Sequence, residues 1–163
     1  MCGITAFTGQ TSALPFLLQG LEKLEYRGYD SAGVTLVDSQ GLNTYKVKGR
    51  LSDLKEELKH QEHHQTTGIG HTRWATHGIP SQLNSHPHTN RSNTISIVHN
   101  GIIENHQAIR NYLKEVGYPF VSQTDSECIV HLIDYYYEGD LPEATRHALK
   151  YLQGSFALCV VSL

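Results

Sequence analysis

Four short stretches of this sequence hold residue types that could do chemistry together. Cys2 directly follows the initiator Met1. Removal of Met1 is favoured when the next residue is small, and it would put a thiol and a free α-amine in one residue. An α-amine has a pKa of about 7.7–8.0, so near neutrality a useful fraction of it is an unprotonated base. It can take the thiol proton directly or through a water, as an N-terminal Thr uses its own amine. The thiolate is then the nucleophile. The bland alternative is an incidental small residue, since buried Cys is common and inert. Asn100-Gly101 sits in the run Val98 to Asn105. After a buried strand it suits a tight turn. Its chemical reading is an oxyanion hole, with the Asn side-chain amide and the Gly backbone N–H aimed at one developing negative oxygen.

Arg73 lies in Gly70 to Gly78 (GHTRWATHG). An Arg at the start of a polar loop can hold a substrate carboxylate bidentately, a geometry Lys cannot match. Trp74 beside it could close over the site, although a surface Arg and a core Trp are the commoner fates. Asp125, in Thr124 to Glu127 (TDSE), could pair with a substrate ammonium. The same letters are also an ordinary helix-capping pattern. Taken together, the set offers a thiol with an amine, oxyanion donors, a carboxylate binder and an ammonium binder. It matches a zwitterionic amino acid with a side-chain amide, and L-glutamine is the obvious candidate.

The elements that must position these residues are readable from pattern. Gly3 to Thr8 is short, apolar and β-prone, a strand starting almost at the terminus. Ser12 caps a predicted helix with Leu14, Leu17, Leu18, Leu21 and Leu24 on one face, and Pro15 falls in its tolerant first turn. Gly33 to Val37 and Leu42 to Val47 read as a hairpin around Asp38 to Gly41. Ser52 caps a short helix with Leu54 and Leu58 inward. Gly68 to His71 is a short strand candidate, and Thr72 to Thr94 is a long polar loop, functional or disordered. Ile95 to Val98 is a buried strand leading to Asn100-Gly101. Asn105 to Val116 is a helix stopped by Gly117. Phe120 to Ser122 is a further strand candidate, Ser126 to Tyr137 and Leu141 to Leu152 are helices, and Ser155 to Ser162 is a final strand. Strands at the start, middle and end, separated by helices, fit an α+β layered domain better than regular βαβ alternation.

Composition bounds the reading. The 163 residues suffice for one buried core and predict one domain over 1–163. Hydrophobic residues make up 39% and charged residues 18%, ordinary for a globular chain. A formal net charge of -3 without Lys/Arg clusters argues against nucleic acid as a partner. No apolar run approaches a membrane span, and the N-terminus lacks the charged region and apolar core of a secretory signal. Cys2, Cys128 and Cys159 are widely spaced and form no CxxC pair, so they read as free thiols. These features together predict a cytoplasmic location.

The stretches Cys2-Gly3-Ile4, Tyr26 to Gly33 (YRGYDSAG), Gly70 to Gly78, Ser85 to His88 (SHPH), His99 to His106 (HNGIIENH) and Thr124 to Glu127 occur in one order along the whole chain. In this the sequence resembles the N-terminal nucleophile glutaminase domain of the class II glutamine amidotransferases. Their wording is most similar to the hexosamine-forming branch. The resemblance implies a four-layer αββα sandwich of the N-terminal nucleophile hydrolase type. It implies that Cys2 attacks the glutamine amide, forms a γ-glutamyl thioester and releases ammonia, with Asn100 and Gly101 as the oxyanion hole. Arg73 and Asp125 would hold the α-carboxylate and α-ammonium, and Thr76, His77 and Gly78 would line the pocket. Arg27 would brace the site beside Cys2, and Trp74 would sit on a closing loop. No cofactor is implied. Members of that branch carry two sugar-isomerase domains with a fructose 6-phosphate site, and as full-length enzymes they are expected to be homo-oligomeric. Here those domains are expected to be absent, because the chain stops just after its last predicted strand.

Three alternatives stand beside this reading. Other class II amidotransferases share the Cys and the Asn-Gly. A non-catalytic amino-acid-binding module could keep the fold without the chemistry. The 11 histidines, among them His63-His64, His71, His77, His86 and His88, raise a metal site. No Cys/His pairing with zinc spacing and no His-Glu-x-x-His helix accompanies them, so no metal is expected.

Overall fold

The computed structural model of the chain describes residues 2–25, 29–74 and 78–163. Strand β1 (Gly3–Thr8) is followed by helix α1 (Ala13–Leu24), the hairpin β2 (Ser31–Asp38) and β3 (Gly41–Lys48), helix α2 (Leu51–Leu58) and strand β4 (Thr67–Arg73). Then come β5 (His88–Thr89), β6 (Ile95–Gly101), α3 (His106–Glu115), α4 (Ser126–Tyr135), α5 (Leu141–Leu149) and β7 (Phe156–Ser162). One antiparallel sheet has the order β1-β4-β2-β3 and the other β5-β6-β7.

The apolar patterns dictate how these elements stack. On α1, Leu14, Leu17 and Leu21 recur at helical spacing and are buried against Ala32, Val34 and Leu36 of β2. Leu51, Leu54 and Leu58 bring α2 onto the same face. A second core forms where Ile95 and Ile97 of β6 meet Ile129 and Ile133 of α4, Leu113 of α3 and Ala144 of α5. Each fully buried Leu or Ile contributes about 1.5–3 kcal/mol. The two sheets face each other between these cores, so the layers run helix, sheet, sheet, helix. Between the sheets, Thr35 and Ser96 share a hydroxyl hydrogen bond of 2.8 Å.

This agrees with the α+β sandwich expected from sequence, with local corrections. Phe120 to Ser122 is not a strand. The N–H groups of Val121 and Ser122 donate to the Glu127 carboxylate instead of to a neighbouring strand. Ser52 does not cap α2. That helix starts at Leu51, which needs a helical position to turn inward, and Asp53 accepts the Arg50 N–H at 2.8 Å. Ser12 precedes α1 but donates its hydroxyl to His63 O at 2.7 Å rather than capping the helix. The long polar segment after β4 contains β5, and Asn84, Ser85, His86, His88 and Asn90 are buried in it. It comes this close because Gly33 has no side chain, as a Cβ there would lie 2.2 Å from His86 O.

Candidate active site

Cys2 stands one residue before β1, whose ladder with β4 pairs Gly3 with Thr72 and Ile4 with His71. Thr5 turns its hydroxyl to Leu17 O of α1, so residues at even positions face the other sheet. The Cys2 sulfur accepts the Trp74 N–H at 3.1 Å and lies 3.4 Å from Trp74 O. A backbone donor is thus aimed at the sulfur expected from sequence to be the nucleophile. Burial pushes the Cys128 thiol up to about 12 and raises Cys159 as well. Cys2 lines a cavity of about 270 Å³ together with Arg73, Asn100, Gly101 and Asp125.

Asn100 and Gly101 end β6, opposite Ala157 and Phe156 of β7. The Asn100 Nδ2 donates to Cys2 O at 2.9 Å. Its Oδ1 meets the His71 Nε2 at 2.8 Å, and the same Nε2 lies 3.1 Å from His99 O. Gly101 has φ +127, and a Cβ there would lie 2.4 Å from Ser155 O, so only glycine fits where β6 meets the strand beside it. Asn100-Gly101 is therefore a strand end in a ladder and not a hairpin turn.

Arg73 ends β4 on the same face as His71 and is 4% exposed. Its Nη1 lies 3.4 Å from Asp30 Oδ1, and its Nη2 donates to Gly78 O at 3.1 Å. Gly78 thus helps to hold Arg73 in place. Asp125, 3% exposed, starts α4 without capping it, and its Oδ2 accepts the Ile103 N–H at 2.8 Å. Trp74 is half exposed at the mouth. Opposite charges on Arg73 and Asp125 in one small cavity suit the two ends of a free amino acid.

Buried histidines form the floor. The His71 and His86 rings stack at 4.1 Å. His86 Nδ1 accepts the His99 N–H at 3.2 Å, which leaves its Nε2 to donate to Ser126 Oγ at 3.1 Å. Ser126 then gives its own hydrogen to His99 Nδ1 at 2.7 Å. His88 Nε2, Thr124 Oγ1, Ser122 Oγ and Glu127 Oε2 form a second chain, with links of 3.1, 2.9 and 2.6 Å. Burial pushes His71 down to about 4 and His86 and His88 well below their ordinary value, so all three are neutral near pH 7. Burial works against charge on Glu127 too, but the His131 ring 3.4 Å away and hydrogen bonds from the Ser122 hydroxyl and the Val121 and Ser122 N–H groups outweigh it and hold the carboxyl at about 2. Among the described residues, no three His, Cys, Asp or Glu side chains converge as a metal site would require.

A family model described as a glutamine amidotransferase domain matches residues 71–162, more than half of the chain. The chain belongs to that family. This amidotransferase domain is 56% identical to glutamine–fructose-6-phosphate aminotransferase (isomerizing) of Clostridium tetani over 99% of its length, covering 26% of that protein. It is 48% identical to the enzyme of the same name from Aquifex aeolicus, over 100% of this chain and 28% of the relative. The chain thus spans about a quarter of the length of these curated relatives. Among solved structures, glutamine phosphoribosylpyrophosphate amidotransferase from B. subtilis superposes with a TM-score of 0.85. That match has 24% identity and covers 99% of this chain and 35% of the other. The likeness carries the fold alone, the α+β sandwich described above.

Of the residues singled out from sequence, the structure brings Cys2, Arg73, Trp74, Asn100, Gly101 and Asp125 to one cavity, while Gly78 bonds to Arg73 without lining it. Arg27, Thr76 and His77 lie outside the described residues. His71, His86, His99, Thr124 and Ser126 also line the cavity and were not singled out for it. One signal for His71 was available: its two-residue spacing from Arg73 places both on one face of a strand.

Proposed function

We propose that this amidotransferase domain hydrolyses L-glutamine to glutamate and ammonia, with Cys2 as an N-terminal nucleophile after loss of Met1. The supporting observation is the convergence of the Cys2 sulfur, the Asn100 amide, Arg73 and Asp125 on one cavity. Arg73 takes the α-carboxylate and Asp125 the α-ammonium, which aims the side-chain amide at the sulfur. The Cys2 α-amine takes the thiol proton, and sulfur adds to the amide carbon. The second hydrogen on Asn100 Nδ2 and the Gly101 N–H receive the oxygen as it gains charge. Collapse expels the nitrogen, which takes the proton from the amine and leaves as ammonia. Water, deprotonated by the same amine, then adds to the γ-glutamyl thioester through a second oxyanion, and glutamate departs with the thiol restored. In this reading Trp74 belongs to the loop that closes over the substrate, Thr76, His77 and Gly78 line the pocket so closed, and Arg27 braces the site.

The relatives' name couples glutamine to fructose 6-phosphate, and we extend the reading to match. Residues 1–163 act as the glutaminase domain of a cytoplasmic, homo-oligomeric enzyme. Its sugar-isomerase domains receive the ammonia for glucosamine 6-phosphate synthesis. No helix among the described residues is long and apolar enough to cross a membrane.

The test is intact mass and glutamine turnover, before and after exposure to 6-diazo-5-oxo-norleucine. Loss of Met1, glutamate release and one adduct on Cys2 that stops turnover are expected. A processed, folded chain that neither turns over glutamine nor labels at Cys2 would refute the proposal.

A further inference from the structure

An amide is a useful oxyanion donor only if its nitrogen, and not its oxygen, faces the reaction. The two ends of an Asn side chain have nearly the same shape, so shape alone does not choose between them. Around Asn100 the choice is made by a chain of one-way hydrogen bonds. His99 O can only accept, so the His71 Nε2 that lies 3.1 Å from it must carry the ring hydrogen. The same Nε2 is 2.8 Å from the Asn100 side chain, whose oxygen must therefore face His71. The amide nitrogen is left pointing at Cys2, where it donates to the carbonyl at 2.9 Å. The other ring nitrogen, Nδ1, has no partner among the described residues, as suits the unprotonated side of this tautomer. The ring is 1% exposed and clamped by the stacked His86 at 4.1 Å. Because burial holds it down to about 4, it stays neutral with one donor near pH 7.

We propose that His71 is a positioning residue that fixes the Asn100 amide with its N–H groups toward the reacting oxygen. This rests on the oxyanion role given to Asn100 above. With the amide reversed, Oδ1 would sit against Cys2 O and repel the very oxygen it should stabilise. The His99 carbonyl therefore acts on chemistry it never touches, through the tautomer of His71.

The experiment compares His71→Gln with His71→Asn in the processed chain. Gln carries its nitrogen at the reach of Nε2, while that of Asn extends only to Nδ1 and falls short of Asn100. We expect His71→Asn to lose about tenfold to a hundredfold in kcat, and His71→Gln to stay within about threefold of wild type, with little change in glutamine KM for either. Affinity for the γ-aldehyde analogue of glutamine, which forms a tetrahedral adduct on a thiol, should fall with kcat in His71→Asn, while glutamate affinity holds. Equal losses in the two variants, or a loss confined to KM, would overturn the role. If His71→Asn fails to fold, ring-nitrogen NMR of the wild type decides: hydrogen on Nε2 supports the proposal, and hydrogen on Nδ1 overturns it. A wild type that neither turns over glutamine nor labels at Cys2 removes the glutamine reading, and the role with it. An active wild type with no split between the variants removes the His71 role alone.

Discussion

The outer faces of the two sheets are packed with Leu, Ile, Val and Ala, whereas the seam between them holds Thr35, Ser96, His71, His86 and Arg73. Both regions are buried, yet different forces hold them. In the cores, attraction scales with area and no single direction matters. In the seam each contact has a donor and an acceptor, and one reversed group spoils its neighbours. The comparison shows where this protein puts exactness of orientation: between the sheets, where the cavity opens.

The contrast can be broken in three ways. The largest effect is expected from acid. Unfolded, His71, His86 and His88 take a proton near pH 6.5, but folded they do so only lower, His71 at about 4. Between those values the unfolded chain binds more protons, so stability should fall as pH drops from 6.5 toward 4. Each histidine contributes up to about 1.4 kcal/mol per pH unit, so the three together reach about 4. Chemical denaturation at stepped pH measures this, and a flat profile between pH 7 and 5 would contradict it. Next comes the core. Leu17→Ala should cost about 3 kcal/mol at any pH, leaving the acid slope and the kcat of folded protein unchanged. A changed slope would mean that core and seam are not separable. The smallest effect is expected from one hydroxyl pair. Thr35→Val should cost about 1–2 kcal/mol by stranding the hydroxyls of buried Ser96 and half-buried Thr44, and adding Ser96→Ala should recover the part that Ser96 carries. A double variant no better than the single would show that this contact is not paired as described.

The cores were largely legible in the sequence because they repeat. The i, i+3, i+4 spacing of Leu14, Leu17, Leu18 and Leu21 gave α1, and β-branched runs gave β1, β6 and β7. The strand candidate at Phe120 to Ser122 failed because an apolar pair does not reveal whether a neighbouring strand is available. Of the site, Cys2, Asn100, Gly101, Arg73 and Asp125 could be picked out by residue type and joined by the chemistry of one amino-acid ligand, while Arg27, Thr76, His77 and Gly78 rested on the resemblance. The seam was not legible. Its links join residues far apart in the chain, 13 positions for His86 with His99, 40 for His86 with Ser126 and 61 for Thr35 with Ser96, and they have no period. Thr124 to Glu127 shows the difficulty most clearly. The capping pattern is there, but Thr124, Asp125, Ser126 and Glu127 each bond to a different part of the fold.

The ladder between β1 and β4 begins at Gly3, one residue after Cys2. The thiol is therefore placed by strand register rather than by a flexible arm, and there is no slack to absorb an error. Adding or deleting one residue at that junction would turn the side chain from the cavity to the α1 side. Substitutions along β1 can drift as long as the pairing survives, but its length cannot. Over evolutionary time, this edge of the domain should accept changes of letter and reject changes of count.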